Sequence, residues 1–232
     1  IEMKVVTRAL RKEIGGVPDL SPVNTSPVVL IDNLPAYYLR FLLATRPPQS
    51  INIFADFDGT DVPDRMDNGF AATLIEGVAT LVPSTGTSNG AGNDLIALRG
   101  SIATKFHWPV NSLPQTRTMC SISRYSGGDM NQILNGIVDG TGFRLIHGHD
   151  MGKRGLVYQN DWKTSKISKG VLTNWLVLCS TSAAGMPDDI IMDQTGIGVS
   201  NTQSIFYGQL NINLGAVAER SDFEVHSVYI WN

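Results

Sequence analysis

The sequence predicts an all-β fold, and three observations lead to this prediction. From Ile51 onward the apolar residues come in short runs separated by Gly, Ser, Asn and Asp, and no run has the length and period of a core helix. Charged residues make up only 17% of the chain, against roughly 25% in an average domain. In several segments the residues at alternate positions form the two distinct faces of a β-strand. Short strands of this kind, separated by turn signals, are typical of a sandwich or a barrel.

The chain divides near residue 50 into an extension and a main domain. Residues 1–50 are rich in proline, whereas residues 51–232 carry the strand pattern. Within the extension, residues 2–13 predict a short charged helix, and a second helix is predicted to begin near Pro35, because proline favours the first helical turn. The second helix holds the apolar stretch AYYLRFLLATR, which is too short to span a bilayer. We expect it to pack on the main domain or on a neighbouring subunit, and attachment to a membrane surface is the alternative.

Three segments of the main domain show the alternation of a strand. In residues 174–180, one face holds Trp175, Val177 and Cys179 and the other holds Leu176, Leu178 and Ser180. Further along, Leu210, Ile212 and Leu214 alternate with Asn211 and Asn213. The closing segment SDFEVHSVYIWN is predicted to bury both faces, with Phe223, Val225, Tyr229 and Trp231 on one and Val228 and Ile230 on the other.

Composition and missing motifs argue against several classes of function. The formal net charge is −3 and no basic stripe is present, so nucleic acid is not expected as a partner. No apolar run is long enough to cross a membrane. No GxSxG motif appears, and neither cysteine lies in a recognised nucleophile motif, so a covalent hydrolase is not supported.

The segment INIFADFDGTDV resembles the first motif of haloacid-dehalogenase-type phosphatases. That resemblance implies that Asp56 attacks phosphorus, that Asp58 is the general acid and base, and that Mg²⁺ neutralises the phosphate oxygens. The pair Asp188-Asp189 would then supply the later acidic motif. The phosphatase fold is a parallel sheet flanked by helices, which the residues after Thr60 do not predict. A Mg²⁺-dependent phosphatase at Asp56 and Asp58 is therefore a remote alternative.

No metal or cofactor is expected. The run His147-Gly148-His149-Asp150 matches part of the HxHxD cluster of binuclear zinc hydrolases but lacks the histidine that follows it. The aspartates between Asp56 and Asp67 lack the DxDxDG spacing of a calcium loop, so Ca²⁺ is possible but not indicated.

One region is dense in aromatic, imidazole and amide side chains. Aromatic rings stack on the C–H faces of sugars, and polar side chains bind vicinal hydroxyl groups. The alternative is that the aromatic residues fill the interior and the arginine forms an ion pair on the surface. The candidate carbohydrate-binding residues are Arg124, Tyr125, His147, His149, Tyr158, Asn160 and Trp162.

Four segments carry a resemblance to a known superfamily. MCSISRYSGG, RLIHGHDMGKRGLVYQNDW, NWLVLCSTS and the closing LNINLGAVAERSDFEVHSVYIWN look like concanavalin A-like lectin/glucanase domains, particularly a laminin-G-like branch found in marine microbes and their viruses. The resemblance covers residues 51–232 and implies a two-sheet jelly-roll sandwich. The extension lies outside it.

The resemblance also implies a function. Members serve in glycan binding, in adhesion or as structural modules, and the ExDxE motif of the catalytic branch is missing here. We therefore expect a lectin-like carbohydrate-binding or adhesion module, not an enzyme, that lies outside the cell, at a cell surface or on a virion, within an oligomer or larger assembly. Asp150 stands where relatives often place an aromatic residue, which removes one stacking surface. The alternative is a structural subunit whose extension docks onto its neighbours.

Cys120 and Cys179 are both mid-strand and both followed by serine. They could face each other on adjacent strands, and a bridge requires Cα atoms within about 7 Å. A disulfide would indicate an oxidising compartment, and two buried free thiols are the alternative.

Overall fold

The structure is a computed structural model that describes residues 42–85, 89–91, 94–137, 143–183, 190–193, 195–198 and 206–232. The helices predicted for the extension lie outside the described residues, except that residues 42–45, at the end of the apolar stretch, are helical. The pair Asp188-Asp189 also lies outside them. No helix in the described ranges has the length and apolarity that a membrane crossing needs. The domain boundary at residue 50 stays a prediction.

The described chain forms fifteen strands, connected by turns, loops and two short 3₁₀ helices, Phe54–Asp56 and Val217–Glu219. Numbered in chain order, the strands are β1 (Ser50–Ile53), β2 (Asp61–Val62), β3 (Ala72–Glu76), β4 (Thr80–Ser84), β5 (Leu95–Gly100), β6 (Lys105–His107), β7 (Thr118–Tyr125), β8 (Leu134–Ile137), β9 (Phe143–Asp150), β10 (Lys153–Gln159), β11 (Leu176–Thr181), β12 (Ile190–Met192), β13 (Thr195–Gly198), β14 (Gln209–Ile212) and β15 (Phe223–Trp231).

The strands form two antiparallel sheets. Sheet I has eight strands in the order β13-β12-β11-β7-β15-β5-β4, with β1 also paired to β15. Sheet II has seven strands in the order β10-β9-β8-β14-β6-β3-β2. This architecture confirms the all-β, two-sheet sandwich predicted from the sequence.

The main core lies between the two sheets. Phe223 and Val225 of sheet I and Leu134 and Leu210 of sheet II are fully buried in one apolar cluster with Trp108. At roughly 25 cal/mol per Å² of apolar surface removed from water, burial of such side chains is the main term that holds the sheets together.

A second apolar cluster covers the outer face of sheet I. It contains Leu42, Trp175, Val177 and Trp231. The Trp231 Nε1–H also donates to the Arg46 carbonyl oxygen at 3.1 Å. In β11 the predicted alternation is confirmed, because Val177 and Cys179 join this cluster while Leu176 and Leu178 pack in a separate cluster with Val157 of β10.

The prediction for the closing strand is wrong in one respect. Phe223 and Val225 lie in the core between the sheets, whereas Tyr229 and Trp231 lie in the outer cluster of sheet I. A β-bulge between Val225 and Ser227 is the cause. An extra residue in one strand of a pair exchanges the two faces beyond it, so strict alternation cannot hold across the bulge.

Cys120 of β7 and Cys179 of β11 lie directly opposite each other in the strand register. They form a disulfide in the outer apolar cluster of sheet I.

Candidate functional site

Three of the predicted binding residues are buried between the sheets. Tyr125, His147 and His149 have no exposed surface. The Tyr125 hydroxyl donates to the carbonyl oxygens of Asn131 and Lys153 at 2.8 and 3.0 Å, and its ring meets the His149 ring with centroids 4.7 Å apart. A side chain without accessible surface cannot contact a ligand in this conformation, so these residues do not line a binding surface.

The histidine-bearing strand is tied to the opposite sheet by polar contacts. His147 Nε2 donates to the Leu178 carbonyl oxygen at 3.3 Å, and the Ser180 hydroxyl donates to His147 Nδ1 at 3.2 Å. The Gln159 amide donates to the same Ser180 hydroxyl at 3.3 Å. We call His147, His149, Gln159 and Ser180 the inter-sheet polar layer. Across the described ranges no three potential metal ligands lie close enough together to hold a metal ion.

Burial keeps both histidines of the layer neutral near pH 7. It lowers the pKa of His147 to about 4, and the charge of Arg117 acts in the same direction. It lowers the pKa of His149 to about 3, and the charges of Arg154 and His147 add to that effect. The cause is the cost of placing a charge in a poorly solvated interior.

Arg124 is held by a buried carboxylate. Its Nε donates to Glu224 Oε2 at 2.6 Å, while Arg99 donates to Glu224 Oε1 at 2.5 and 2.9 Å. Glu224 is fully buried, and the Arg124 guanidinium also lies 5.2 Å from the centre of the Trp175 ring. The guanidinium of Arg124 is therefore engaged in contacts within the protein.

Glu224→Gln is expected to lower the free energy of unfolding by about 3 kcal/mol, because it leaves the Arg124 guanidinium without its anion. Urea unfolding at neutral pH measures this change. Glu76→Gln is the matched control: Glu76 pairs with Lys105 but is 54% exposed, and solvent screens such a pair, so this variant should unfold like the wild type. Equal stability of the Glu224→Gln variant and the wild type would contradict the role given to the ion pair.

The other three predicted residues come together at the edge of sheet II. Tyr158 and Trp162 face each other across a turn, with ring centroids 5.4 Å apart, and both are partly exposed. Asn160 occupies the turn with a left-handed φ of 59° and is exposed. The Lys166 ammonium lies 4.7 Å from the centre of the Trp162 ring. We call Tyr158, Asn160, Trp162 and Lys166 the edge surface.

An open cleft lies at one end of the sandwich. Its volume is about 290 Å³. Tyr207 is 57% exposed in the cleft and presents an aromatic ring to solvent. The lining side chains carry no formal charge; they belong to Gln49, Asn111, Pro114, Tyr207 and Asn232.

The two loops that carry the cleft are joined by hydrogen bonds. Leu113 and Gly208 exchange backbone hydrogen bonds of 2.9 and 3.1 Å. Arg117, which is buried, donates to the carbonyl oxygens of Pro114 and Phe206 at 3.0 and 3.3 Å and lies 4.2 Å from the centre of the Phe206 ring. Its burial lowers its pKa to about 10, so it stays charged near pH 7. The residues on either side of Tyr207 are thus tied by hydrogen bonds to the loop that carries Asn111 and Pro114.

Sequence reasoning missed this cleft because its residues are spread along the chain from position 49, at the end of the predicted extension, to position 232. The chain shows adjacent aromatic residues at Phe206 and Tyr207. Phe206 is buried in the core between the sheets whereas Tyr207 is exposed, and only the tertiary structure decides which of the two rings faces solvent.

Asp56 and Asp58 do not form a phosphatase centre. Asp56 accepts two hydrogen bonds from Arg65, at 2.6 and 2.9 Å. Asp58 accepts from the backbone N–H groups of Thr60 and Asp61 at 2.8 and 2.7 Å, which lowers the pKa of its carboxyl group. These are the contacts of a turn in an antiparallel fold, whereas the phosphatase motif needs the end of a parallel strand.

Solved structures share the fold of this chain. Domain 4 of an extracellular GH43 arabinanase from Geobacillus stearothermophilus, in complex with arabinotriose, is 10% identical, with a TM-score of 0.55 over 80% of this chain and 92% of that one. A Trypanosoma rangeli sialidase in complex with sialic acid is 13% identical, with a TM-score of 0.50 over 78% of this chain. The matched region spans only 30% of the sialidase. No protein-family model and no curated protein matches the sequence.

The likeness is one of fold. It nevertheless overturns our prediction that the chain is not an enzyme, because the proteins that share the fold are named as a sialidase and as part of an arabinanase. A missing ExDxE motif excludes one catalytic arrangement and not glycoside hydrolysis in general, for which two suitably placed carboxyl groups suffice.

Proposed function

We propose that the main domain is a carbohydrate-binding β-sandwich of a carbohydrate-active protein, and that the cleft around Tyr207 is its binding site. The observation that carries this proposal is the exposed aromatic ring set among amide side chains at a concave surface. The binding residues named from the sequence are not needed for this cleft.

The chemistry of the lining fits a neutral sugar. The Tyr207 ring offers a flat apolar face to sugar C–H groups, and the amides of Gln49, Asn111 and Asn232 both donate and accept hydrogen bonds. Asn111 and Asn232 are exposed, so their amides are open to a ligand.

The comparisons and the sequence both favour a carbohydrate ligand. The arabinanase domain that shares the fold over 92% of its length holds arabinotriose, and the sialidase holds sialic acid. The resemblance to concanavalin A-like domains also favours glycan binding and is part of this proposal. The Cys120–Cys179 disulfide supports a location outside the cell, at a cell surface or on a virion, because such bonds persist in oxidising environments.

The test is binding of the intact chain to an array of neutral and acidic glycans, followed by calorimetry. Tyr207→Ala is expected to weaken binding about tenfold, as loss of one stacked ring predicts, while Tyr207→Phe keeps the ring and most of the affinity. Val110→Ala removes an exposed side chain of the same loop that does not line the cleft, and it should bind like the wild type.

Release of reducing ends from each bound glycan is measured in the same samples, so that catalysis is assayed alongside binding. Failure of the wild-type chain to bind any glycan saturably would refute the proposed function. Saturable binding that Tyr207→Ala leaves unchanged would remove the cleft as its site.

A further inference from the structure

β10 and the segment that follows it concentrate positive charge in a chain that is negative overall. Residues 153–171 contain five basic residues and one acidic residue, whereas the net charge of the whole chain is −3. The basic residues are Lys153, Arg154, Lys163, Lys166 and Lys169, and the acidic residue is Asp161. A concentration of one sign of charge on a small area attracts ligands of the opposite sign.

The fold uses some of these basic groups internally and leaves another at the surface. Arg154 is buried and donates to Asp193 at 2.9 Å. Lys163 is buried as well. Lys166, in contrast, is exposed and forms no ion pair with a carboxylate of the described residues. Its charge therefore faces solvent beside the rings of the edge surface.

The Trp162 ring and the Lys166 charge are close together and are held on β10. The Lys166 ammonium lies 4.7 Å from the centre of the Trp162 ring, which is partly exposed. The Lys163 backbone N–H donates to the Val157 carbonyl oxygen at 2.9 Å, and the Val157 N–H donates to the Thr164 hydroxyl at 3.0 Å. One sugar unit on this surface can contact the ring and the ammonium at the same time.

One carboxylate lies next to this pair in the chain. Asp161 is exposed, and its Oδ1 accepts the backbone N–H of Trp162 at 2.7 Å. The carboxylate is thus bonded to the backbone of its own turn and forms no ion pair with Lys166. The Lys166 ammonium remains available to an anionic group of a ligand.

We propose that the edge surface binds an acidic sugar, with the carboxylate or sulfate group on Lys166 and the C–H face on Trp162. A hydrogen bond between an ammonium and an anion is stronger than a neutral one, and an aromatic ring packs well on apolar sugar faces. The lining side chains of the Tyr207 cleft carry no formal charge. The inference therefore goes beyond the proposed function, because it adds a second surface with a different class of ligand.

The number of available charges favours a sugar over a membrane or a nucleic acid. Anionic membranes are recognised by clusters of about four to eight basic residues, and duplex nucleic acid by about six to ten phosphate contacts. The edge surface offers the exposed Lys166, and the segment beyond it adds the half-buried Lys169. One or two cations beside two aromatic rings match the single charge and the apolar face of an acidic sugar.

The test compares acidic with neutral sugars. A galacturonic acid trimer, a sulfated heparin disaccharide, and neutral trimers of galactose and arabinose are titrated into the intact chain by calorimetry at low and at physiological salt. At least one acidic sugar is expected to bind saturably, and more weakly as salt rises, because salt screens an exposed charge. The two acidic probes distinguish a carboxylate ligand from a sulfate ligand.

Variants at the edge surface and at the cleft should have opposite effects. Lys166→Gln is expected to weaken binding of the acidic sugar about tenfold, since it removes one charge-assisted hydrogen bond, and to leave neutral sugars unaffected. Lys166→Arg keeps the charge and most of the affinity. Trp162→Ala should also weaken acidic binding about tenfold. Tyr207→Ala should weaken only neutral sugars.

Lys153→Gln is the matched charge control. It removes a lysine from the start of β10, five residues before Tyr158. At about 3.3 Å per residue this is roughly 15 Å along the strand, beyond the screening length of about 8 Å at physiological salt. The variant should bind acidic sugars like the wild type, and thermal unfolding of every variant shows whether the fold is retained.

Three results would overturn the inference. They are absence of wild-type binding to both acidic sugars, unchanged acidic binding in a folded Lys166→Gln variant, and loss of acidic binding in Tyr207→Ala but not in Lys166→Gln. Wild-type binding to phosphatidylserine vesicles without binding to either acidic sugar would identify a membrane surface instead. All of these leave neutral-sugar binding at the cleft intact, whereas absence of binding to every sugar contradicts the proposed function as well.

Discussion

Acidification from pH 6.5 to pH 4.5 is expected to lower the free energy of unfolding by roughly 5 kcal/mol through His147 and His149 alone. Both imidazoles are buried and neutral in the fold, with pKa values of about 4 and about 3, below the ordinary 6.5. In the unfolded chain each takes up a proton below pH 6.5. The unfolded state then binds more protons than the folded state, so acid favours unfolding.

The size of this change in the free energy of unfolding follows from the width of the pH range in which the unfolded chain is protonated and the folded chain is not. Between pH 6.5 and its folded pKa, each histidine lowers the free energy of unfolding by about 1.4 kcal/mol for every pH unit of acidification. Above pH 6.5 it has no such effect. Arg117 and Arg154, which lie near the layer, oppose protonation further. Burial raises the pKa of Asp150, so its protonation acts in the opposite direction and offsets part of the loss. The net change is comparable with the whole stability of many domains, about 5–15 kcal/mol.

Urea unfolding at pH 7.0 and at pH 4.5 measures this dependence. His147→Gln with His149→Gln should reduce the difference between the two pH values, since a glutamine amide can still donate a hydrogen bond and does not titrate. His107→Gln, which replaces a histidine outside the layer, is the control. An equal loss of stability in the double variant and the wild type would show that other groups govern acid unfolding.

Reduction of the Cys120–Cys179 disulfide is expected to lower the free energy of unfolding by about 4 kcal/mol. The bond joins paired positions of β7 and β11 and links residues 59 apart in the sequence. Cross-linking a chain over that separation removes conformational entropy from the unfolded state, which destabilises it by about 4 kcal/mol in the loop-closure model. Both cysteines are buried, so the reductant reaches them only when the strands separate.

The measurement compares urea unfolding of the wild-type chain with and without a reducing agent. Cys120→Ala with Cys179→Ala should unfold near the midpoint of the reduced wild type, and the reductant should not affect it. A wild-type midpoint that does not change under reduction would mean that the two cysteines are unbridged in solution.

Local patterns predicted much of the fold. In β11 the residues that alternate in sequence also alternate in space, because neighbouring side chains of a strand point to opposite faces. In β15 the same reasoning failed beyond the bulge after Val225. Nothing in the local pattern marks the extra residue, since it arises from how β15 pairs with β7.

The candidate site was predicted from the sequence much less well than the fold. Tyr158, Asn160 and Trp162 were grouped from the sequence because they are close together in the chain, and the structure brings Tyr158 and Trp162 together across one turn; their role in binding stays a prediction. Arg124 and the two histidines of β9 were placed on a binding surface, yet Glu224 binds Arg124, Ser180 binds His147 and Ser123 lies against His149, each from a strand distant in sequence. The composition of a segment shows which groups are available for binding, and not which of them the fold uses internally.

The sequence by itself determined that this protein is an all-β sandwich, because periodicity and turn residues act over a few neighbouring positions. The tertiary structure alone decided which polar and aromatic side chains remain in contact with solvent. Gln49, Asn111, Tyr207 and Asn232 become one cleft only when the ends of the two sheets meet. Exposure depends on what packs against a side chain from elsewhere in the chain, and no local pattern contains that information.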